Sequence, residues 1–290
     1  MTNYTVQYND GGVVLNDDAV LPFVDIQQIS GVDSGDTRTN EQQREGENGG
    51  FVDAEFINQR TIVIDATVYT DDNSLNSFLS QLKQNYRQDN VVKPLYMLFP
   101  GINNDEALVL YCKSLGLKYD LTSTVSANYI PIQIQLKAED PLFYSKTVHS
   151  YSVVFDTTAP VNGRGYPKSY NYGYGATNAV APGTMTVNNN GNYDTAGKIR
   201  ISHVLSPEIH HDESGRSIKL NANVTGSDYV EMDLNNRTVK LNGQYNYAKY
   251  LDSASRWFKL QPGSNTLRLT GLSAEVTQPV LTVIYQDAYE

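Results

Sequence analysis

Basic charge, cysteine and long apolar runs are all scarce in this sequence, and each shortage excludes something. Lys and Arg number 22 against 32 Asp and Glu, a formal net charge of -10. A sequence-independent grip on DNA or RNA needs basic side chains that neutralise phosphates and release counterions, so nucleic acid is not expected as a bound partner. The one cysteine, Cys112, cannot make an intrachain disulfide, and the fold is expected not to rely on an oxidising compartment. Its place in the apolar run Leu108-Val109-Leu110-Tyr111-Cys112 points to a buried, inert thiol. No stretch of ~18 apolar residues occurs, and Met1 to Gln7 has neither a basic nor an apolar signal region. No membrane partner is expected, and the chain reads as made and assembled in the cytosol or exported without a signal peptide.

Catalytic motifs are missing as well. There is no Gly-x-Ser-x-Gly elbow, P-loop or His-Glu-x-x-His, and Gly-x-Gly falls in tyrosine-rich or polar turns, not between a strand and a helix. No cofactor is expected. The one ligand-like cluster is His210-His211-Asp212-Glu213; adjacent histidines on a strand point to opposite faces, which suits chelation poorly, and a solvated loop is the other reading. Carboxylates are abundant enough to assemble a glycosidase pair in space, yet nothing singles one out, so the chain reads as non-enzymatic.

What is present is material for β-structure. Hydrophobic residues make up 40% and charged ones 19%, with much of the polarity supplied by Asn, Ser, Thr, Gln and 21 Tyr. Branched and aromatic side chains suit a pleated surface. A length of 290 residues suits two domains of roughly 140 residues each. Arg60 to Tyr69 alternates, with Ile62, Ile64, Ala66 and Val68 on one face. Leu75, Phe78, Leu79, Leu82 and Tyr86 recur at helical spacing behind an Asp/Asn/Ser cap candidate, the one convincing helix. Pro94 to Phe99, Leu108 to Cys112 and Leu115 to Leu121 are short strand candidates, the first two joined by a turn at Pro100 to Asp105. Tyr129 to Leu136 alternates too, but Pro131 cannot donate to a ladder and suggests an edge strand or an irregularity. Gly31 to Gly50 is polar, lacks apolar periodicity and is long enough to be functional or mobile.

Turn-forming residues crowd 157–183, which places a domain junction near residues 145–150. Beyond it, short alternating runs follow one another without a helix. Asn235-Asn236 is expected to close a two-residue hairpin, and Asn242-Gly243 marks a second turn. The overall reading is mainly β: a first domain, 1–146, with a sheet and one helix, then a second, 147–290, that is a β-sandwich.

The order of motifs resembles a known family. Arg60-Thr61-Ile62 follows a polar Gly-Gly loop, and Ala138-Glu139-Asp140-Pro141-Leu142-Phe143-Tyr144 closes the first domain. Asp228 to Asp233, Arg237 to Gly243 and Trp257 to Asn265 follow in the second. Over nearly the whole chain this is similar to the distal tail proteins of phages with long non-contractile tails. The resemblance implies a hexameric ring of first domains that joins the tail tube protein to the tail-tip hub and lets DNA pass, with galectin-like second domains projecting outward. It implies a location in the virion after assembly in the host cytoplasm, and contact with a receptor-binding protein or host cell-wall glycan. It makes Gly31 to Asn58 an extended hairpin arm between subunits, with Arg38, Arg44, Gly49, Gly50 and Phe51 as arm candidates; an exposed loop is the alternative. Arg60, Asp140 and Pro141 become structural candidates, Arg60 and Asp140 as a pair. In such a ring the acidic balance would keep the lumen from holding DNA. The rival reading is a carbohydrate-binding module using exposed aromatics such as Tyr170, Tyr172 and Tyr174, with Trp257 divided between core and surface.

Overall fold

The computed structural model describes residues 4–17, 21–33, 35–43, 48, 50–71, 74–100, 106–119, 129–155, 183–273 and 278–290, with backbone alone at 40–43, 50–54 and 272–273. The chain divides into two compact units, residues 1–146 with 289–290, and residues 147–288.

The first unit contains β1 (Thr5–Tyr8), β2 (Val14–Leu15), β3 (Phe23–Ser30), β4 (Thr37–Gln43), β5 (Gly50–Ile57), β6 (Arg60–Tyr69), α1 (Leu75–Asn85), β7 (Lys93–Leu98), β8 (Leu108–Tyr119), β9 (Tyr129–Ala138) and β10 (Phe143–Ser145). Its main sheet has the order β2-β1-β7-β8-β9-β6-β3. The alternating faces of β6 and β9 share one core with Phe78, Leu79, Leu82 and Tyr86 from the helix. Each such aliphatic side chain contributes on the order of 1.5–3 kcal/mol by leaving water. Cys112 is buried in that core, and burial pushes its thiol up to about 12, so it stays protonated and inert. Tyr289 also packs on this core.

Two sequence expectations give way here. The candidates Leu108 to Cys112 and Leu115 to Leu121 belong to one strand, β8, whose first part pairs with β7 and whose second part pairs with β9; Leu121 lies outside the described residues. The partner changes between Cys112 and Lys113, and a bulge follows within the β9 pairing, where Gly116 takes φ +118° and its N–H donates to Ser114 Oγ at 3.1 Å. Pro131 stands on an inner strand, because β9 lies between β6 and β8. It opposes Thr67 on β6 but falls beyond Ile132↔Tyr119, the last described rung to β8, so its missing N–H removes no described rung there.

The second unit contains β11 (His149–Val154), β12 (Gly183–Asn189), β13 (Lys198–His211), β14 (Arg216–Lys219), β15 (Asn223–Asp233), β16 (Thr238–Leu241), β17 (Tyr245–Asn246), β18 (Gly263–Ser273) and β19 (Val280–Tyr285), and β20 (Ala288–Tyr289) follows. The long strand β13 serves two layers. Lys198 to Ser202 lie between β15 and β19, whereas Glu208 to His211 lie between β14 and β18. Register shifts between these stretches coincide with left-handed backbone at His203 (φ 57°) and Ser206 (φ 46°), which turn the strand. Ile199, Met232 and Val283 of one layer and Ile209, Leu267 and Val187 of the other share one core, which makes the unit a β-sandwich.

The turn after β15 is longer than expected. Asp233↔Thr238 is the last rung, so Leu234 to Arg237 form a four-residue loop in place of a two-residue one. The Asp233 carboxylate accepts the N–H groups of Asn235 and Asn236, both at 2.9 Å, and Arg237 takes φ 52°. Asn242 and Gly243 both have positive φ, 52° and 70°, and Gln244 N–H donates to the Leu241 carbonyl at 3.1 Å, a type I′ turn.

Register also creates an ion-pair cluster. Glu231 lies opposite Arg200, which donates to it at 2.8 Å, and Lys198 Nζ is 3.4 Å away. Burial acts to raise the Glu231 carboxyl, but the Arg200 hydrogen bond and the two cations outweigh it and hold the group below its ordinary 4.5. A depressed folded value means that the stabilisation is complete above the unfolded value and is lost as pH falls through the folded one. Lowering pH from about 7 to about 3 is therefore expected to reduce melting temperature more in the native chain than in Glu231→Gln. Parallel melting curves in scanning calorimetry would remove Glu231 from this linkage.

Candidate functional site

The chain's most distinctive described feature is a ribbon that pairs with neither main sheet. β4 and β5 form a separate two-stranded antiparallel sheet, with rungs from Thr37↔Ile57 to Gln43↔Gly50 and a bulge between Thr39 and Glu41. Two strands alone are marginal in water, and among the described residues neither β4 nor β5 pairs with any other strand.

The root of the ribbon is built on Arg60, the first residue of β6. The residue is 3% exposed; Nε donates to the Pro141 carbonyl at 2.9 Å, and Nη1 donates to the carbonyls of Gly31, at 3.0 Å, and Asp33. The same group lies over the Phe143 ring, 4.7 Å from its centre. Loss of water lowers the Arg60 pKa, while the charges of Asp33 and Glu290 act to raise it. Asn58 N–H closes the base by donating to the Asp36 carbonyl at 2.7 Å. Gly31, φ +85°, is required where the ribbon leaves β3, because a Cβ there would come within 2.0 Å of the Thr61 carbonyl oxygen.

Arg60 and Asp140 thus do not form the expected pair. Arg60 takes the backbone carbonyl of Pro141, one residue on, and the Asp140 carboxylate instead accepts from Leu142 N–H at 3.2 Å and Tyr144 Oη at 2.6 Å. On the ribbon, Arg38 opposes Phe56 and its guanidinium stands 5.6 Å from the Phe56 ring centre. Phe56 is 55% exposed, an apolar side chain left open next to a cation. Sequence reasoning passed it over, although Phe51-Val52-Asp53-Ala54-Glu55-Phe56-Ile57 carries enough apolar residues to mark a strand. Gly50 and Phe51 begin β5, paired with Gln43 and Gln42. Arg44, Gly49, Tyr170, Tyr172 and Tyr174 lie outside the described residues.

His210 and His211 end strand β13 and are not in a solvated loop. They face opposite ways, as neighbours on a strand must. His211 is fully buried, its ring stacked 4.8 Å from Phe258, with Nδ1 2.8 Å from Ser214 Oγ and Nε2 3.0 Å from Asn265 Oδ1. His210 lies 3.5 Å from Glu208. Among the described residues no three His, Cys, Asp or Glu side chains group as metal ligands, and no helix is long and apolar enough to cross a membrane.

Residues 190–289 match the family model described as siphovirus-type tail component, C-terminal domain. Over that stretch the second unit is similar to a siphovirus-type tail-component domain. The whole fold is also similar to a solved phage protein. The crystal structure titled SPP1 Dit, a paradigm of hub adsorption apparatus in Gram-positive infecting phages, matches over 100% of both chains with TM-score 0.67 and 15% identity. That likeness shows a shared fold: mainly β, with antiparallel sheets and one helix. The phage p2 baseplate in its activated conformation matches over 98% of both chains at 11% identity and TM-score 0.46. The sheath/tube terminator of an extracellular contractile injection system covers 51% of this chain and 95% of its own, at 12% identity and TM-score 0.32. Both scores are too low to argue from. No curated protein matches the chain.

Proposed function

We propose that the chain is a non-enzymatic structural subunit of a phage tail tip, and that six copies form a ring joining the tail tube to the tail-tip and adsorption apparatus. The observation that carries this reading is the tail-component match over residues 190–289. The full-length fold likeness to SPP1 Dit agrees with it. The β4–β5 ribbon supplies a means of assembly: a two-stranded sheet with open edges gains stability by ordering on a neighbouring subunit. DNA would pass through the ring without being held, consistent with a net charge of -10. Tail tube protein, tail-tip hub protein and a receptor-binding component are the proposed partners, and the virion the proposed location.

Light scattering across a range of concentrations is expected to give the mass of six chains, and negative-stain images a six-fold ring with a central hole. Replacing residues 37–57 by a short glycine linker is expected to lower the assembled mass while both units keep their circular dichroism. A monomer at every concentration, or a ring that ignores the replacement, would overturn the reading or its proposed clasp respectively.

A further inference from the structure

The second unit holds a polar pocket of about 400 Å³ whose charge is opposite to that of the chain. Arg216, Arg237 and Lys259 line it against one carboxylate, Asp194, in a protein of net charge -10. Three cations elsewhere in this unit are paired: Lys198 and Arg200 lie on Glu231, and Arg268 on Asp212. Arg237 and Lys259 have no carboxylate partner among the described residues. The half-buried Trp257, the chain's single tryptophan, also lines the pocket, with Asn235 and Gln261.

The walls are held from behind. Arg216 Nη1 donates to the Trp257 carbonyl at 3.0 Å. Ser214 and Phe258, both in the wall, are fixed by His211 through the 2.8 Å hydrogen bond and the 4.8 Å ring stack. Gln261 N–H donates to Asn265 Oδ1 at 2.7 Å. Arg237 sits in its left-handed position at the end of the loop that Asp233 caps. A site whose walls are braced in this way loses little entropy when it is filled.

We propose that this pocket binds an anionic saccharide, a sugar unit carrying phosphate or carboxylate. Arg237 and Lys259 meet its charge, and the indole of Trp257 provides a face on which a sugar ring stacks. Asp194, Asn235 and Gln261 supply the mixed acceptors and donors that hydroxyl groups need. An acidic peptide fits less well, since its carboxylates require donors only and would meet Asp194. Filling the pocket does not depend on ring assembly.

Trp257 makes the test specific, because its emission reports this pocket and no other tryptophan interferes. The full chain is titrated with N-acetylglucosamine 1-phosphate, glucuronic acid oligomers, N-acetylglucosamine, inorganic phosphate and a polyglutamate peptide, with calorimetry in parallel. Saturable binding of either anionic saccharide is expected, weakened by salt and about tenfold tighter than the neutral sugar or phosphate alone. The exposed double variant Arg237→Gln/Lys259→Gln is expected to bind about tenfold more weakly with an unchanged melting temperature. The proposal fails if neither anionic saccharide saturates, if phosphate alone binds as tightly, if polyglutamate binds in their place, or if the double variant binds like the native chain. Such a failure leaves the ring reading intact, since assembled mass is measured independently.

Discussion

Arg60→Ala destabilises the first unit by about 3 kcal/mol and releases the root of the β4–β5 ribbon, as an expected result of removing a buried guanidinium that bonds three backbone carbonyls. The guanidinium bonds three carbonyls, at Gly31, Asp33 and Pro141, from two separate stretches of chain. A methyl group reaches none, and water has little access to a site that is 3% exposed. Each hydrogen bond lost from the charged group costs about 1–3 kcal/mol, partly offset by relaxation and by water at the exposed Asp33, and the contact with Phe143 is lost as well. Arg60→Lys keeps the charge but replaces a planar fork by one ammonium group, so a loss of about half that size is expected. Denaturant unfolding read by two signals separates the units. Trp257 lies in the second, so its emission transition is expected to stay in place while the circular dichroism transition of the first unit moves to lower denaturant. The Asn58 amide, bonded to Asp36 at the ribbon's base, is expected to exchange faster. An unchanged dichroism transition would show that the fork is dispensable.

The elements that were legible in the sequence are those whose determinants are local. Alternation in Arg60–Tyr69 and Tyr129–Ala138 fixes the inward face of each strand wherever the strand lies, because a strand's side chains repeat every two residues. Phe78, Leu79, Leu82 and Tyr86 mark a helix face for the same reason, at the helical period. Asn242-Gly243 codes its own turn through two left-handed residues. What stayed hidden depends on partners. Whether Pro131 is tolerated is decided by where the β8 ladder ends, which no property of β9 announces. The bend in β13 rests on bulges, where an extra residue lets a strand change partners, and the continuity of β8 rests on its passing from β7 to β9 at Cys112 and Lys113. Asp140 was the natural guess for Arg60 because opposite charges attract, yet a buried guanidinium also pairs well with backbone carbonyls, and these leave no trace in side-chain identity. The pocket is hidden for the same reason: Asp194, Arg216, Arg237, Trp257 and Lys259 are spread along the chain and meet only when the sandwich is closed.

Asn265→Asp, a change of one atom, is expected to cost the second unit about 4 kcal/mol, more than the about 2–3 kcal/mol of Asn265→Ala. Asn265 is fully buried and ties the Gln261 to Asn265 turn to the core. Its Nδ2 donates to the carbonyls of Gln261, at 2.8 Å, and Gly263, at 2.9 Å, which fixes the orientation of the amide. Oδ1 is then the acceptor, taking Gln261 N–H at 2.7 Å and His211 Nε2 at 3.0 Å, so His211 carries its proton on Nε2 and accepts from Ser214 at Nδ1. Alanine leaves these groups unpaired but repels none of them. An introduced carboxylate places an oxygen against two carbonyl oxygens and buries a charge. Because burial favours the neutral acid, the penalty is expected to shrink as pH falls and the carboxyl gains a proton, which restores one donor toward Gln261 or Gly263. Trp257 emission during denaturant unfolding at about pH 7 and about pH 4.5 measures both effects. If Asn265→Asp proved no worse than Asn265→Ala at the higher pH, the hydrogen-bond assignment around His211 would have to be reversed. With it would go the account of why the motif Gln261-Pro262-Gly263-Ser264-Asn265 ends in asparagine.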